Sequence, residues 1–396
     1  MGKDHNRENS NFTMTIKKNS FITLAFVILL TPFLSISGIR NTMATSTYQA
    51  WQIASVISLF LFVCIVASQI KVNWAVGLFG LYHLIVLLST FWNHGFSSGI
   101  LAVTIASLLL FMLLQSSYYD QIVRAICVIV VLSALINFPV MLLRRNDSGS
   151  LFFIGGKNAL GMFLIPGVFL LIINALNGTG SIDKKTIAAI ALCLVSVFIG
   201  SSGTGMVVAA LAIGLMVTAI TVKPPKRTYL ITIIVFYLLF LLFSEDFFVT
   251  KYWVSFTAFL DKDSTLTSRT AIWNTAKEII RQKWLFGSGR GTEISYINTW
   301  GIQRSIYEAH NFILEILMEG GIAAFFIYST LFFKSIKHLD MNNPKNCVIF
   351  VALCVLLING LTESTVNNFF VTIALGIACR FAAENRGKYT LNERKI

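Results

Sequence analysis

Apolar residues run along this chain in blocks of about 17 to 23, each long enough to cross a ~30 Å hydrocarbon core as a helix. The pattern gives about twelve blocks, near 21–39, 50–69, 72–91, 98–116, 122–143, 158–177, 185–202, 204–222, 228–243, 311–333, 346–362 and 367–383. In lipid every backbone group must be satisfied within the protein, so the predicted fold class is all-α, a polytopic membrane helical bundle. One polar stretch of roughly 65 residues, 244–310, breaks the rhythm, and loops of that length are uncommon unless they carry function. Three parts follow: a bundle over 1–243, a long loop over 244–310, and further spans with a tail over 311–396.

Within the loop, Ile272, Ala276, Ile280 and Trp284 recur every fourth residue with Trp273 beside them, which predicts an amphipathic helix starting near Arg269. Thr267 or Ser268 is placed to cap it. The following Gly-Ser-Gly-Arg-Gly, 287–291, reads as a flexible turn.

Composition agrees: 56% of the 396 residues are hydrophobic and 12% charged, where soluble domains average about 25% charged. The net charge of +13 does not call for nucleic acid, because the basic residues fall on one set of loops. With the N-terminus inside, cytoplasmic segments hold Lys71, Lys184, Lys185, Lys223, Lys226, Arg227, Lys334, Lys337 and Lys345. The tail adds Arg386, Lys388, Arg394 and Lys395, whereas outer loops hold Arg40, Arg144, Arg145 and Lys157. That bias predicts both termini in the cytoplasm and the 244–310 loop outside. The basic leader before the first block shows no small-residue cleavage pattern and is read as leading into a retained helix. The six cysteines follow no ligand or disulfide spacing and read as small buried apolar groups.

In this topology five unusual features share the outer face: GGKNALG (155–161), GSSGTG (200–205), the loop helix at Arg269, AHN (309–311) and LTES (361–364). His310 stands where polar sequence turns hydrophobic, and a neutral imidazole there is available to take a proton from a hydroxyl; it also reads as a simple helix cap, as does Asn311. Arg269 offers a planar fork suited to a diphosphate or is a surface arginine. Lys157 and Asn158 follow two glycines that let a ligand approach the backbone. Glu363 reads as an acceptor-binding carboxylate or an ordinary exposed acid. GGKNALG is not a P-loop, since Leu151 replaces the first glycine and Asn158 the Ser/Thr. No HExxH or acidic pair suggests a metal, and no cofactor motif is present.

Taken in this order, GGKNALG, GSSGTG, LTSRTAIW with WLFGSGRG, HNFILEILMEGGIAAFF and LTES resemble the O-antigen ligase and O-antigen/exopolysaccharide polymerase family over roughly 155–365. The resemblance implies a glycosyltransferase of the cytoplasmic membrane with an extracytoplasmic site and neither metal nor cofactor. Its donor would be a glycan on a polyprenyl diphosphate (undecaprenyl diphosphate in kind) and its acceptor a glycan hydroxyl, with inversion at the anomeric carbon. Membrane lipids and a chain-length regulator or flippase are the further partners it suggests. By position, His310 would be the base and Arg269 would neutralise the leaving diphosphate. Substrate binding would fall to Lys157, Asn158, Arg290, Arg304, Trp273, Asn311 and Glu363. Family members commonly carry an arginine in the stretch where Ser202 and Gly203 stand, so a second cation is expected from Lys157 or Arg290, with Arg304 as a further candidate. A polymerase of exopolysaccharide or capsule repeat units leads this reading. A ligase acting on another lipid, wall or protein acceptor follows. A transporter of lipid-linked sugars is disfavoured because few charges lie in span centres.

Overall fold

The computed structural model describes residues 19–95, 97–144, 151–200, 203–242, 268–298 and 301–393. Helix α1 is Asn19–Phe33. It is followed by α2 (Ser37–Thr42), α3 (Thr45–Ile65), α4 (Trp74–His94), α5 (Ser98–Leu114), α6 (Tyr119–Arg144), α7 (Lys157–Gly178), α8 (Lys184–Gly200), α9 (Gly203–Thr221) and α10 (Lys226–Leu242). Then come α11 (Arg269–Gln282), the strands β1 (Ile294–Ile297) and β2 (Gln303–Ile306), α12 (Phe312–Lys337), α13 (Pro344–Asn359) and α14 (Phe369–Glu393). Each apolar block of the sequence coincides with a helix, so the architecture is that of an all-α membrane protein. Among the described residues six helices are, by length and composition, fit to cross a membrane: α3, α4, α6, α7, α9 and α12. Helices α1, α5 and α13 are apolar but shorter, so a count of about twelve crossings does not follow from helix length.

Sequence-local signals set the ends. Asn73 accepts from the N–H groups of Ala75 and Val76 to start α4, and Gly95 closes it at φ +76°. Asn343 caps α13 ahead of Pro344 in the first turn. On the lipid side, α3 leaves Ile53, Ile57, Phe60 and Leu61 exposed, as a helix facing hydrocarbon can. Cys64 is also exposed there, against the expectation that all six cysteines are buried. Helices α4 and α12 pack antiparallel, with Tyr82 edge-on to Tyr328 at 5.1 Å and Lys334 over the Trp74 ring at 5.4 Å.

Two features were not foreseen. A hairpin joins β1 to β2 in antiparallel register, Ile294 facing Ile306 and Tyr296 facing Arg304. Its inner residue Ile294 completes a small core with Ile272, Trp273, Ala276, Leu314 and Met318, which fixes α11 against α12. The second is a break in α12, where Gly321 takes φ +64°, ψ −165° and separates two helical halves. Helix breaks in apolar surroundings free backbone groups that need partners. Here the glycine-rich turn supplies them: Ser288 and Gly289 donate to the carbonyls of Met318 and Glu319 at 2.7 and 3.0 Å. Ile322 and Ala323 donate in return to Trp284 and Leu285 at 2.8 and 3.2 Å. A side chain at Gly287 would lie 2.6 Å from the Gly320 nitrogen, and one at Gly289 2.4 Å from the Thr90 Cα. The turn expected to be flexible is instead wedged into the break.

Gly321→Ala is expected to lower stability by at least about 1–3 kcal/mol, since that φ/ψ region is essentially glycine's own and the new methyl would meet the Leu285 carbonyl at 2.4 Å. Thermal unfolding in detergent reads the effect. Gly77→Ala, where an added methyl meets nothing within 4 Å, should leave the midpoint unchanged or slightly raised.

Candidate active site

Three helix starts converge on the segment between α13 and α14, residues 360–368. Asn311 begins α12 by accepting from the N–H groups of Ile313 and Leu314, both at 3.1 Å, and its own amide donates to the Leu361 carbonyl. The residue before it, His310, adopts φ +48°, a left-handed conformation that costs energy outside glycine. Its neighbours hold it there. The Ser364 hydroxyl accepts from the His310 N–H at 2.9 Å, the Trp273 indole donates to the His310 carbonyl at 3.4 Å, and Glu315 accepts from the preceding Ala309 N–H. Ser364 in turn donates to Glu315 at 2.9 Å.

Glu363 is the hub. Its Oε1 accepts from Asn158 Nδ2 at 2.9 Å, in the first turn of α7, and from Arg269 Nη2, the first residue of α11. Its Oε2 lies 3.3 Å from His310 Nδ1, at ion-pair distance though not aligned as a hydrogen bond. The Arg269 and Glu363 side chains are each 6% exposed, whereas that of His310 is 29% exposed. A buried carboxylate therefore sits behind one nitrogen of a ring that still reaches solvent. Glu308, two residues before His310, keeps exposed surface. Partial desolvation of its carboxyl raises its pKa above the ordinary 4.5; His310 opposes the shift, and Glu363 and Glu319 reinforce it.

A second cluster lies around the break in α12. Arg290 leaves the wedged turn and forks onto Glu319, Nε to Oε1 at 3.2 Å and Nη2 to Oε2 at 3.4 Å. Thr104 accepts from Nη1 at 3.3 Å, Asn367 Oδ1 accepts from Nη2, and the Arg290 N–H donates to Thr90 at 2.8 Å. Asn367 also donates to Glu319 at 2.7 Å. Glu315 and Glu319, one turn apart on α12, thus hold Ser364 and Asn367 and so pin the segment that carries Glu363.

Residues 188–329 match the family model described as O-antigen ligase. Over this stretch, about a third of the chain, the protein is similar to the O-antigen ligase family. No curated protein matches the chain. The matched stretch contains Arg269, Arg290, His310 and both α12 glutamates, while Asn158 and Glu363 reach the cluster from outside it.

The structure sorts the residues singled out from the sequence. His310, Arg269, Asn158 and Glu363 meet directly. Lys157 is exposed at the first position of α7, next to Asn158. Trp273 and Asn311, both expected to bind substrate, border the cluster and are fully buried, where they support His310 from behind. Arg290, expected as a second cation, has its guanidinium directed at Glu319 and is 13% exposed. Arg304 is exposed on β2 and no described contact joins it to Glu363. Ser268 does not cap α11 with its side chain, since it sits at φ +67°; Thr267, Arg145 and Ser202 lie outside the described residues. Glu308 and Asn367 were missed: an acid two residues before His310 was the available signal for one, and nothing local marked the other. Among the described residues no three His, Cys, Asp or Glu side chains group to hold a metal ion.

Arg290→Met should cost about 3–5 kcal/mol by leaving Glu319 buried and unpaired, and adding Glu319→Met should recover most of it; paired unfolding curves test this. Glu308 makes a pH-dependent difference. Its folded pKa is raised, so stability present below the ordinary carboxylate value is lost as pH rises through the folded value. Glu308→Gln should match wild type in acid and unfold at a higher temperature than wild type at neutral pH.

Proposed function

We propose that the protein is a membrane glycosyltransferase that joins glycan units carried on polyprenyl diphosphate, working at the outer face of the cytoplasmic membrane with both termini inside. The observation that carries this reading is the partly exposed His310 ring backed by the buried Glu363 carboxylate, 3.3 Å from Nδ1. A carboxylate behind one ring nitrogen fixes the ring and favours the protonated form once the other nitrogen has accepted a proton. His310 Nε2 is then the base for the acceptor hydroxyl. As that oxygen bonds to the anomeric carbon, the bond from carbon to the diphosphate oxygen breaks and the electron pair leaves with the diphosphate. One displacement inverts the carbon. The sugar–diphosphate bond supplies the driving force, so the step needs no cofactor.

The leaving diphosphate requires positive charge. Lys157 is exposed at the N-terminus of α7, where backbone N–H groups also favour an anion. Arg269 in this structure neutralises Glu363, and in the reaction it would be shared between that carboxylate and the diphosphate. Glu319 and Arg290 satisfy one another in a closed cluster with Asn367, which argues against a charged transport path.

A polymerase acting on repeat units remains the leading form. Transfer to a different acceptor is the second reading, favoured by the ligase description of the matched family. Purified protein given one synthetic polyprenyl-diphosphate glycan should build a ladder of longer lipid-linked products; product only after a second acceptor is supplied selects the ligase. His310→Ala should reduce transfer by about 100- to 10,000-fold with folding retained. Transfer at the wild-type rate would remove the histidine from the mechanism. Arg269 and Glu363 form a buried ion pair, so Arg269→Gln/Glu363→Gln removes both charges together: stability should stay closer to wild type than with Glu363→Gln alone, while activity is lost in both.

A further inference from the structure

Beside α11 an open cavity of about 580 Å³ lies between the end of α4 and the segment that follows α11. Its walls are apolar: Ile85, Leu88 and Trp92 on one side, and Trp284, Leu285 and Phe286 on the other. Trp92 is 88% exposed and Trp284 60%, which is how tryptophans stand at a lipid–water boundary. The Ser89 hydroxyl in its lining is turned to the Gly287 carbonyl, and at one edge Lys283 Nζ donates to Asn93 Oδ1. From Asn93 down to Ile85 the α4 face descends about 12 Å. The shape is that of an amphiphile, with a cation above and an apolar slot below.

The cavity's place sets its rim cation apart from the donor's diphosphate. A donor diphosphate is bonded to the reacting carbon, so it must lie beside His310 and Arg269. Lys283 is 14 positions further along the same chain segment, about 20 Å away at the helical rise. Between them Asn274, Glu278 and Arg281 form an exposed polar stripe on α11. That separation suits the other substrate, whose reactive hydroxyl is at the far end of an oligosaccharide from its lipid.

Building on the function proposed above, we propose that this groove seats the isoprenoid chain of the acceptor, with Lys283 against the acceptor's diphosphate and its glycan lying along α11 toward His310. Lipid anchor and base would then be separated by a fixed span, and acceptors with glycans too short to bridge it would be poor substrates.

The test uses purified full-length protein and a donor whose own acceptor hydroxyl is methylated. The same glycan is offered as acceptor in two forms: on a long isoprenoid through a non-cleavable phosphonate, or as a lipid-free methyl glycoside. Leu88→Trp, which fills the slot, and Lys283→Gln, which removes the rim charge, are each expected to raise KM for the lipid-borne acceptor at least tenfold. Neither should change KM for the donor or the rate with the methyl glycoside, which also shows that the variants fold. Unchanged KM for both acceptors would overturn the proposal and leave the groove to boundary lipid. A raised donor KM would overturn it by giving the groove to the donor's chain. No transfer by wild type to either acceptor would instead sink the underlying function.

Discussion

The break in α12 is the constraint around which the site is arranged. An uninterrupted apolar helix satisfies its own backbone; one interrupted at Gly321 does not, and its freed N–H and C=O groups need partners from elsewhere in the chain. Residues 284–289 are those partners. Because the two backbones come into direct contact, glycine is required on both sides, at 287 in the turn and at 321 in the helix, while Gly289 lies against Thr90 of α4. Seating the turn also brings Arg290 inside. A buried guanidinium is tolerable only with its charge and donors met, and Glu319, Thr104 and Asn367 meet them.

That satisfaction has a consequence for chemistry. Of the two ionic clusters, the one around Arg290 is closed: its carboxylate and guanidinium face each other and two supporting side chains. The one around Glu363 is open on one side, through the His310 ring. Similar residue types thus serve different ends according to what remains unsatisfied. The closed cluster fixes position and the open one leaves a proton acceptor in reach of solvent. They are mechanically joined, since Ser364 and Asn367 belong to the segment that carries Glu363 and are held by glutamates one turn apart on α12.

Hydropathy made the helices legible, because the length and apolarity of a span are local properties. The 3.6-residue period likewise located α11 and its buried face, Ile272, Trp273 and Ala276. Trp284 followed the same period but lies beyond the helix end and is exposed, where the chain has already turned toward α12. The hairpin went unseen because four-residue strands such as ISYI and QRSI carry too short an alternation to register. The rigid seating of Gly-Ser-Gly-Arg-Gly was unseen for a different reason. Glycines in sequence signal permissive backbone, and whether that freedom becomes motion or close packing depends on what approaches them. The pairings that define the site join residues 94 and 205 positions apart, beyond any local pattern.

The same distance explains how the site relates to the matched segment. A match ending at residue 329 includes His310 and the arginine that begins α11, yet the carboxylate joining them stands at 363 and is steadied by Asn158 of α7. Neither the polar loop nor the matched segment is therefore a self-sufficient unit. Without Glu363, Arg269 would lose its buried carboxylate and His310, strained at φ +48°, the acid 3.3 Å from its ring. What makes the loop's residues a site is the surface the helical bundle presents to them, above all the short buried segment between α13 and α14.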